Sequence, residues 1–335
     1  MNIKEIKKVL SSPKRIVITT HKNPDGDAIG SSLALHHYLL SLGHDSIVIT
    51  PNEYPDFLKW MPGEDTVIKF SCDTKIVRSK IKEADLIFTL DFNHLSRSGD
   101  MKDELSKAKT SFVMIDHHQQ PDDYAKYVYS DVSMSSTCQM IYHFIQKLDD
   151  LPKITPEIAT CIYVGIMTDT GSFRFRSTTS KTHQVVADLI DRGADNTTIH
   201  ENVYDTNTLS RLQLKGVALK NLKVLSEYNT AYITMSQKEL DQHNFRKGDT
   251  EGFVNLGLSI QGIRFAAIFI ENRQEGIVKI SLRSKGDFSV NEFSRNHFEG
   301  GGHHNAAGGK SNLPLPDTVD KFISILPSYK KLLNQ

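Results

Sequence analysis

The sequence predicts an α/β protein with a parallel, Rossmann-like sheet in an N-terminal domain, a helical linker, and a smaller mixed α/β domain. Three observations carry this reading. Short β-branched runs alternate with runs of helical period through the first half of the 335 residues, the pattern of strand-helix-strand units. A mostly helical stretch follows, with Gly193 and Asn196 as breaks. Strand-like runs return from about Asn229, together with a glycine-rich run at 300–309. The length suits two domains, drawn here as 1–190, a connector at 191–228, and 229–335.

Strands are expected at 15–20, 45–50, 86–90 and 111–115. Between the first two, 28–42 places Ile29, Leu33, Leu35, Leu39 and Leu40 on one helical face. Further helices are expected at 135–148 and 156–168. Ligands on such sheets sit outside the carboxyl ends of the strands. Asp25, Asp91 and Asp116 all fall just past expected strand ends. In the second domain, strands are expected at 231–235, 264–270 and 277–283, and helices at 237–243, 290–298 and 317–326.

Bulk properties narrow the function classes. Hydrophobic residues at 39% and charged residues at 24% fit full-size globular cores. No segment approaches the ~20 apolar residues of a membrane span. Residues 1–10 form a charged amphipathic stretch rather than a secretory signal. Cys72, Cys138 and Cys161 are isolated and odd in number, which points to the reducing cytoplasm. A formal net charge of +0 argues against binding long duplex, which favours a basic face, but not against short nucleotides.

The chemistry-bearing residues cluster at strand ends. In His21-Lys22-Asn23-Pro24-Asp25-Gly26-Asp27, an irregular turn can point one imidazole and two carboxylates inward. Asp25 or Asp27 could instead cap the following helix. Asp91 follows the apolar run 86–90, where a carboxylate can bridge two cations ~3.5–4 Å apart. Asp116-His117-His118 directly follows another such run, and burying three polar side chains in a row requires partners for each. His117 is read as a metal ligand, Asp116 as orienting a neighbouring imidazole, and His118 as facing substrate. Asp169 ends an apolar helix and completes the set. Two histidines and four aspartates suit two divalent cations, Mn²⁺ best, with Mg²⁺ or Co²⁺ possible. A thiolate zinc site does not fit, because no cysteine belongs to the set.

In the second domain, the glycines of 300–309 allow close backbone approach to an anion, and successive N–H groups can form an anion nest. His303 and Asn305 add donors. The run lacks the Gly-x-x-x-x-Gly-Lys-Ser/Thr pattern of a P-loop. Arg283, at a strand end, is the best candidate for a phosphate clamp, with Arg264, Ser284 and Lys285 nearby if the domain is a small sheet.

Taken together and in order, His21 to Asp27, Asp91, Asp116-His117-His118 and Asp169-Thr170-Gly171 resemble the four motifs of the DHH phosphoesterases. The 300–309 run resembles the glycine-histidine motif of the associated DHHA1 domain. The resemblance covers nearly the whole chain and is closest to the oligoribonuclease and pAp phosphatase subfamily. It implies that His21, Asp25 and Asp91 hold one metal, and that Asp27, Asp91, His117 and Asp169 hold the other. It implies that His118 contacts the scissile phosphate and Arg97 the substrate. Arg283, Ser284 and His303, with Gly301 and Gly302 of the glycine motif, match the substrate clamp of the DHHA1 domain. In that chemistry a water shared by two cations is acidified and attacks phosphorus in line, while the metals and His118 neutralise developing charge. Short oligonucleotides or pAp are the expected substrates, and a homodimer is the expected assembly. A cyclic-dinucleotide or pApA phosphodiesterase, a RecJ-like exonuclease, a pyrophosphatase or polyphosphatase, and a non-catalytic nucleotide-binding module remain open alternatives.

Overall fold

The computed structural model describes residues 2–335, which form two compact units dividing between Thr206 and Asn207. Among these residues each unit holds one six-stranded sheet. No helix among them is long and apolar enough to cross a membrane.

In the first unit α1 (Ile3–Val9) precedes β1 (Arg15–Thr19), α2 (Gly26–Ser41), β2 (Asp45–Thr50) and β3 (Ile68–Lys69). Then come α3 (Thr74–Glu83), β4 (Leu86–Leu90), α4 (Lys102–Ser106), β5 (Ser111–Asp116) and β6 (Tyr127–Ser130). The unit closes with α5 (Thr137–Lys147), α6 (Pro156–Asp169), α7 (Ser180–Asp191) and α8 (Asn196–Tyr204). The strand order is β3-β2-β1-β4-β5-β6, and every pairing is parallel. The order runs outward from β1 in both directions, so the topology switches between β1 and β4. That switch opens a crevice at the carboxyl ends of these two strands.

The four strands expected from sequence are present, each within one residue of its expected end. Their runs are apolar without alternation because both faces are covered. Ile16, Ile18, Phe88, Leu90, Val113 and Ile115 pack with α2, α5 and α6. Val17, Ile87, Phe112 and Met114 face the opposite core, with Val77 and Ile81 of α3 and Leu105 of α4. A Cβ at Gly30 would stand 2.5 Å from the Cys161 carbonyl oxygen, so α2 and α6 cross at backbone distance. The edge strands β3 and β6 were not anticipated, since two to four residues are too short to show a period.

The second unit runs α9 (Leu209–Lys220), β7 (Lys223–Leu225), β8 (Thr230–Met235), α10 (Gln237–Gln242), α11 (Asn255–Leu258) and β9 (Phe265–Asn272). It continues with β10 (Ile277–Ser284), α12 (Val290–His297), β11 (Gly301–His303), β12 (Ala306–Ser311), α13 (Leu315–Ile325) and α14 (Lys330–Leu333). The order is β11-β12-β10-β9-β8-β7, with β8 and β9 parallel and the other pairs antiparallel. One face is sealed by aromatic rings: Phe293 of α12 lies 5.1 Å from Phe265, and Phe322 of α13 lies 5.1 Å from Phe269. The other face packs Leu214, Ala218 and Leu240 on Ile233, Ala266 and Ile268.

Two expectations change. The stretch 191–228 is shared between the units: α8 lies in the first, while α9 and the strand β7 lie in the second. The glycine run at 300–309, expected to offer an anion nest, forms the hairpin β11-β12. A Cβ at Gly300 would overlap the Gly308 carbonyl and the Ser294 hydroxyl, and one at Gly309 would stand 2.7 Å from the Phe298 carbonyl oxygen. These two glycines exist so that the hairpin can lie against α12.

Candidate active site

The loops after β1, β4 and β5 converge at the topological switch. Thr20 donates its hydroxyl to the Leu90 carbonyl at 2.9 Å, tying the end of β1 to the end of β4. His21 follows directly. Its Nδ1–H donates to the Lys22 carbonyl at 2.9 Å, which leaves Nε2 facing inward. That nitrogen lies 3.3 Å from Asp91 Oδ2 and 3.9 Å from Asp25 Oδ2. Asp25 has both roles the sequence allowed. Its Oδ1 caps α2 by accepting from the Asp27 and Ala28 N–H groups at 3.1 Å, and its Oδ2 turns toward His21.

Asp27, in the first turn of α2, is 1% exposed. Asp91 is 2% exposed and adopts φ +64°, a left-handed conformation that costs a non-glycine residue on the order of 1 kcal/mol. Such strain persists where surrounding structure over-determines it, and here it aims one carboxylate at two histidines. His117 mirrors His21: its Nδ1–H donates to the Met134 carbonyl at 3.3 Å. Its Nε2 lies 3.8 Å from Asp27 Oδ2, 3.5 Å from Asp91 Oδ1 and 3.6 Å from Asp169 Oδ2. Fixing the far ring nitrogen in this way is how proteins present imidazole to a cation.

Ligand-capable atoms therefore gather in groups. One atom each from His21, Asp25 and Asp91 lie within 4.8 Å of one another, as do those of Asp27, His117 and Asp169. Asp91 Oδ1 also reaches the second group through His117. Asp116 is fully buried. Its Oδ1 accepts from His118 Nδ1 at 2.7 Å and its Oδ2 from the His118 backbone N–H at 3.1 Å, which fixes the ring.

The electrostatics of the group show its strain. Burial pushes the Asp27 carboxyl well above its ordinary range, and the charges of Asp91 and Asp169 push it further. Burial likewise raises Asp169 to about 6. Burial pulls His21 down, but Asp91 and Asp25 outweigh it and raise the imidazole to about 9. His117 is raised against burial by Asp91, Asp169 and Asp27. Asp91 is held well below its ordinary range in spite of burial, because His117 and His21 flank it. Four carboxylates packed around two imidazoles are a poor arrangement on their own. An added positive charge relieves it, so the donor set fits divalent cations. Arg97, in a 3₁₀ turn after β4, is close enough for its charge to oppose the rise at His21.

The second unit separates residues that the sequence reading grouped. Arg283 pairs with Ala306 across the sheet, and Ala306 pairs with His303, so Arg283 and His303 share one face. Between and beside them lie Ala306 and Gly308, and a Cβ at Gly308 would meet only the Ile280 carbonyl oxygen, at 3.7 Å. Ser284 points the other way. It pairs with Phe265 on the aromatic face, is buried, donates its hydroxyl to the Phe288 carbonyl at 2.6 Å and accepts from Asn305 Nδ2 at 2.8 Å. Successive strand residues alternate faces, so Arg283 and Ser284 do not form one clamp. Gly302 donates its N–H to Asn291 Oδ1 at 3.0 Å, and Gly301 pairs with Gly308, so the expected anion nest does not form.

Sequence reasoning missed Thr137 and Cys138. Both N–H groups donate to Asp27, and the Thr137 hydroxyl donates to Asp91. The only local signal was the polar run Ser135-Ser136-Thr137, which reads as an ordinary helix start.

A parallel sheet bearing this acid-imidazole cluster at its switch point, joined to a second α/β unit, defines a recognisable class. Residues 15–166 match the DHH family, N-terminal domain, and residues 227–331 match the DHHA1 domain. The chain belongs to this family and is a hydrolase of phosphoester bonds. It is 31% identical over 307 residues to the bifunctional oligoribonuclease and PAP phosphatase NrnA of Thermus thermophilus, covering 91% of this chain and 86% of that protein. A Bacillus subtilis protein of the same name is 27% identical over 331 residues, covering 98% of each. The solved structure of an exopolyphosphatase-related protein from Bacteroides fragilis superposes with a TM-score of 0.96 at 39% identity, covering 99% of this chain and 97% of that one.

Proposed function

We propose that this chain hydrolyses phosphoester bonds in short oligonucleotides and in pAp with the help of two divalent cations, Mn²⁺ first among them. The observation that carries the reading is the pair of three-donor groups meeting at Asp91. His21, Asp25 and Asp91 would hold one cation. Asp27, Asp91, His117 and Asp169 would hold the other. Bound there, the cations would supply an activated water and neutralise charge at phosphorus.

The chain's own side chains complete the reaction. Asp116 holds His118 through Nδ1, which fixes the orientation of the ring that would face a phosphate oxygen. In its protonated form His118 gives a proton or a hydrogen bond to the leaving oxygen. Arg97 adds positive charge on the His21 side. In the second unit, Arg283 and His303 offer donors over a floor of Ala306 and Gly308, suited to a terminal phosphate or a base lying flat. Ser284, Gly301 and Gly302 support this floor rather than reach from it. Relatives that align over nearly the whole chain bear the oligoribonuclease and pAp phosphatase name, and the chain's neutral charge suits short substrates. A cytoplasmic location and a homodimer belong to the same proposal.

Release of phosphate and nucleotides is measured with Mn²⁺ on pAp, on RNA and DNA of two to ten nucleotides, on pApA and on tripolyphosphate. The expected result is turnover of pAp and of the shortest oligonucleotides, falling with length. Turnover of tripolyphosphate alone, or of nothing in the panel, contradicts the proposal.

A further inference from the structure

The first turn of α5 touches both donor groups. The Thr137 N–H donates to Asp27 Oδ2 at 2.6 Å, and the Cys138 N–H donates to Asp27 Oδ1 at 2.8 Å. The Thr137 hydroxyl donates to Asp91 Oδ1 at 3.0 Å. Just before the helix, the Met134 carbonyl accepts from His117 Nδ1. One short segment thus holds three of the six proposed ligands.

Part of this has a plain structural explanation. The first N–H groups of any helix lack partners within it, and Asp27 satisfies two of them while Ser136 caps the third, that of Gln139. The hydroxyl bond to Asp91 is different. Threonine inside a helix usually turns its hydroxyl to the carbonyl one turn back. At the first helical position Thr137 instead reaches out of the helix to a carboxylate 46 residues earlier in the chain.

The consequence for Asp91 is geometric. A carboxylate can rotate about its Cβ–Cγ bond, and only some rotations serve both donor groups. With Oδ1 held by Thr137, that oxygen stands 3.5 Å from His117 Nε2 while Oδ2 stands 3.3 Å from His21 Nε2. The neighbouring packing leaves the turn little freedom. A Cβ at Gly165 would overlap Cys138 Sγ and stand 2.9 Å from Asp27 Oδ1, and one at Gly30 would stand 2.9 Å from Cys138 Sγ. The glycines of α2 and α6 let the start of α5 press into the site.

We propose that Thr137 is a positioning residue of the metal centre: its hydroxyl sets the rotation of Asp91 so that Oδ2 faces His21 and Oδ1 faces His117. This rests on the two-cation reading above. Three consequences separate it from a purely structural role. Removing the hydroxyl weakens cation uptake more than it weakens the fold. Serine, which keeps the hydroxyl, restores uptake. The loss appears without any substrate present.

The test is titration of Mn²⁺ into the full chain, followed by the paramagnetic resonance signal of free Mn²⁺, for wild type, Thr137→Val, Thr137→Ser and Asp91→Ala. Thr137→Val is expected to bind Mn²⁺ roughly 10–100-fold more weakly, the usual effect of removing an outer partner of a ligand. Thr137→Ser is expected to bind like wild type, and the metal-free melting temperatures of wild type and Thr137→Val are expected to agree closely. Should Thr137→Val not fold, Thr137→Ala removes the same hydroxyl and is read in the same way. Unchanged Mn²⁺ binding in Thr137→Val, with binding lost in Asp91→Ala, overturns the role of Thr137 and leaves the metal centre intact. Unchanged binding in Asp91→Ala overturns the metal centre itself.

Discussion

The histidine-bearing segments at 116–118 and 300–309 invite the same reasoning, yet the structure treats them differently. The first directly follows a buried parallel strand, so its side chains have one direction to go: into the crevice at the switch point, where the loops after β1 and β4 arrive as well. The second is rich in glycine, and glycine has two uses. It lets a backbone approach a ligand, and it lets a backbone approach another backbone. At Gly300 and Gly309 the second use wins, because a Cβ there would collide with the protein's own carbonyls. At Gly308 a Cβ would meet only the Ile280 carbonyl oxygen, at an ordinary contact distance of 3.7 Å. The polar residues at these parallel strand ends therefore converge as expected, whereas Gly300 and Gly309 serve packing.

The contrast can be broken or sharpened by substitution. The largest effect is expected for Asp91→Ala, which removes the carboxylate that stands 3.3 Å from His21 and 3.5 Å from His117. Its loss of kcat/KM in Mn²⁺ should exceed the roughly 100-fold upper end for outer partners of a ligand. Steady-state kinetics on pAp decide it, and near-normal turnover would remove the site as drawn. Gly300→Ala comes next, and its effect is on stability. Forcing a methyl against the Gly308 carbonyl should cost about 1–3 kcal/mol, read by urea unfolding of the full chain. Arg283→Ala should raise KM about tenfold, the value of one hydrogen bond to a charged group, with a smaller fall in kcat. An unchanged KM on dinucleotides would take Arg283 out of substrate binding. Gly308→Ala should be the mildest, leaving stability near wild type and raising KM only slightly, since its methyl would rise from the same face two residues along from Ala306, which lies between Arg283 and His303. Equal destabilisation by Gly300→Ala and Gly308→Ala would erase the distinction between the two kinds of glycine.

Much of the first unit was legible in the sequence because buried parallel strands are written as short unbroken apolar runs, and β1, β2, β4 and β5 are such runs. The candidate ligands were legible because each follows one of those runs or closes an apolar helix. Short edge strands such as β3 and β7 were not, since their few residues carry no period. Nor was the parting of Arg283 from Ser284, which depends on which face of β10 meets the aromatic core. Thr137 was hidden for another reason. Its partners Asp91 and Asp27 lie 46 and 110 residues away, so nothing local distinguishes it from an ordinary helix start.

The most direct test of the shared-carboxylate centre is a crystal of the protein grown with Mn²⁺ and measured at a wavelength where manganese scatters anomalously. Two peaks should flank the Asp91 carboxylate, about 3.5–4 Å apart, one beside His21 and one beside His117. A single peak, or none at these histidines, would contradict the account.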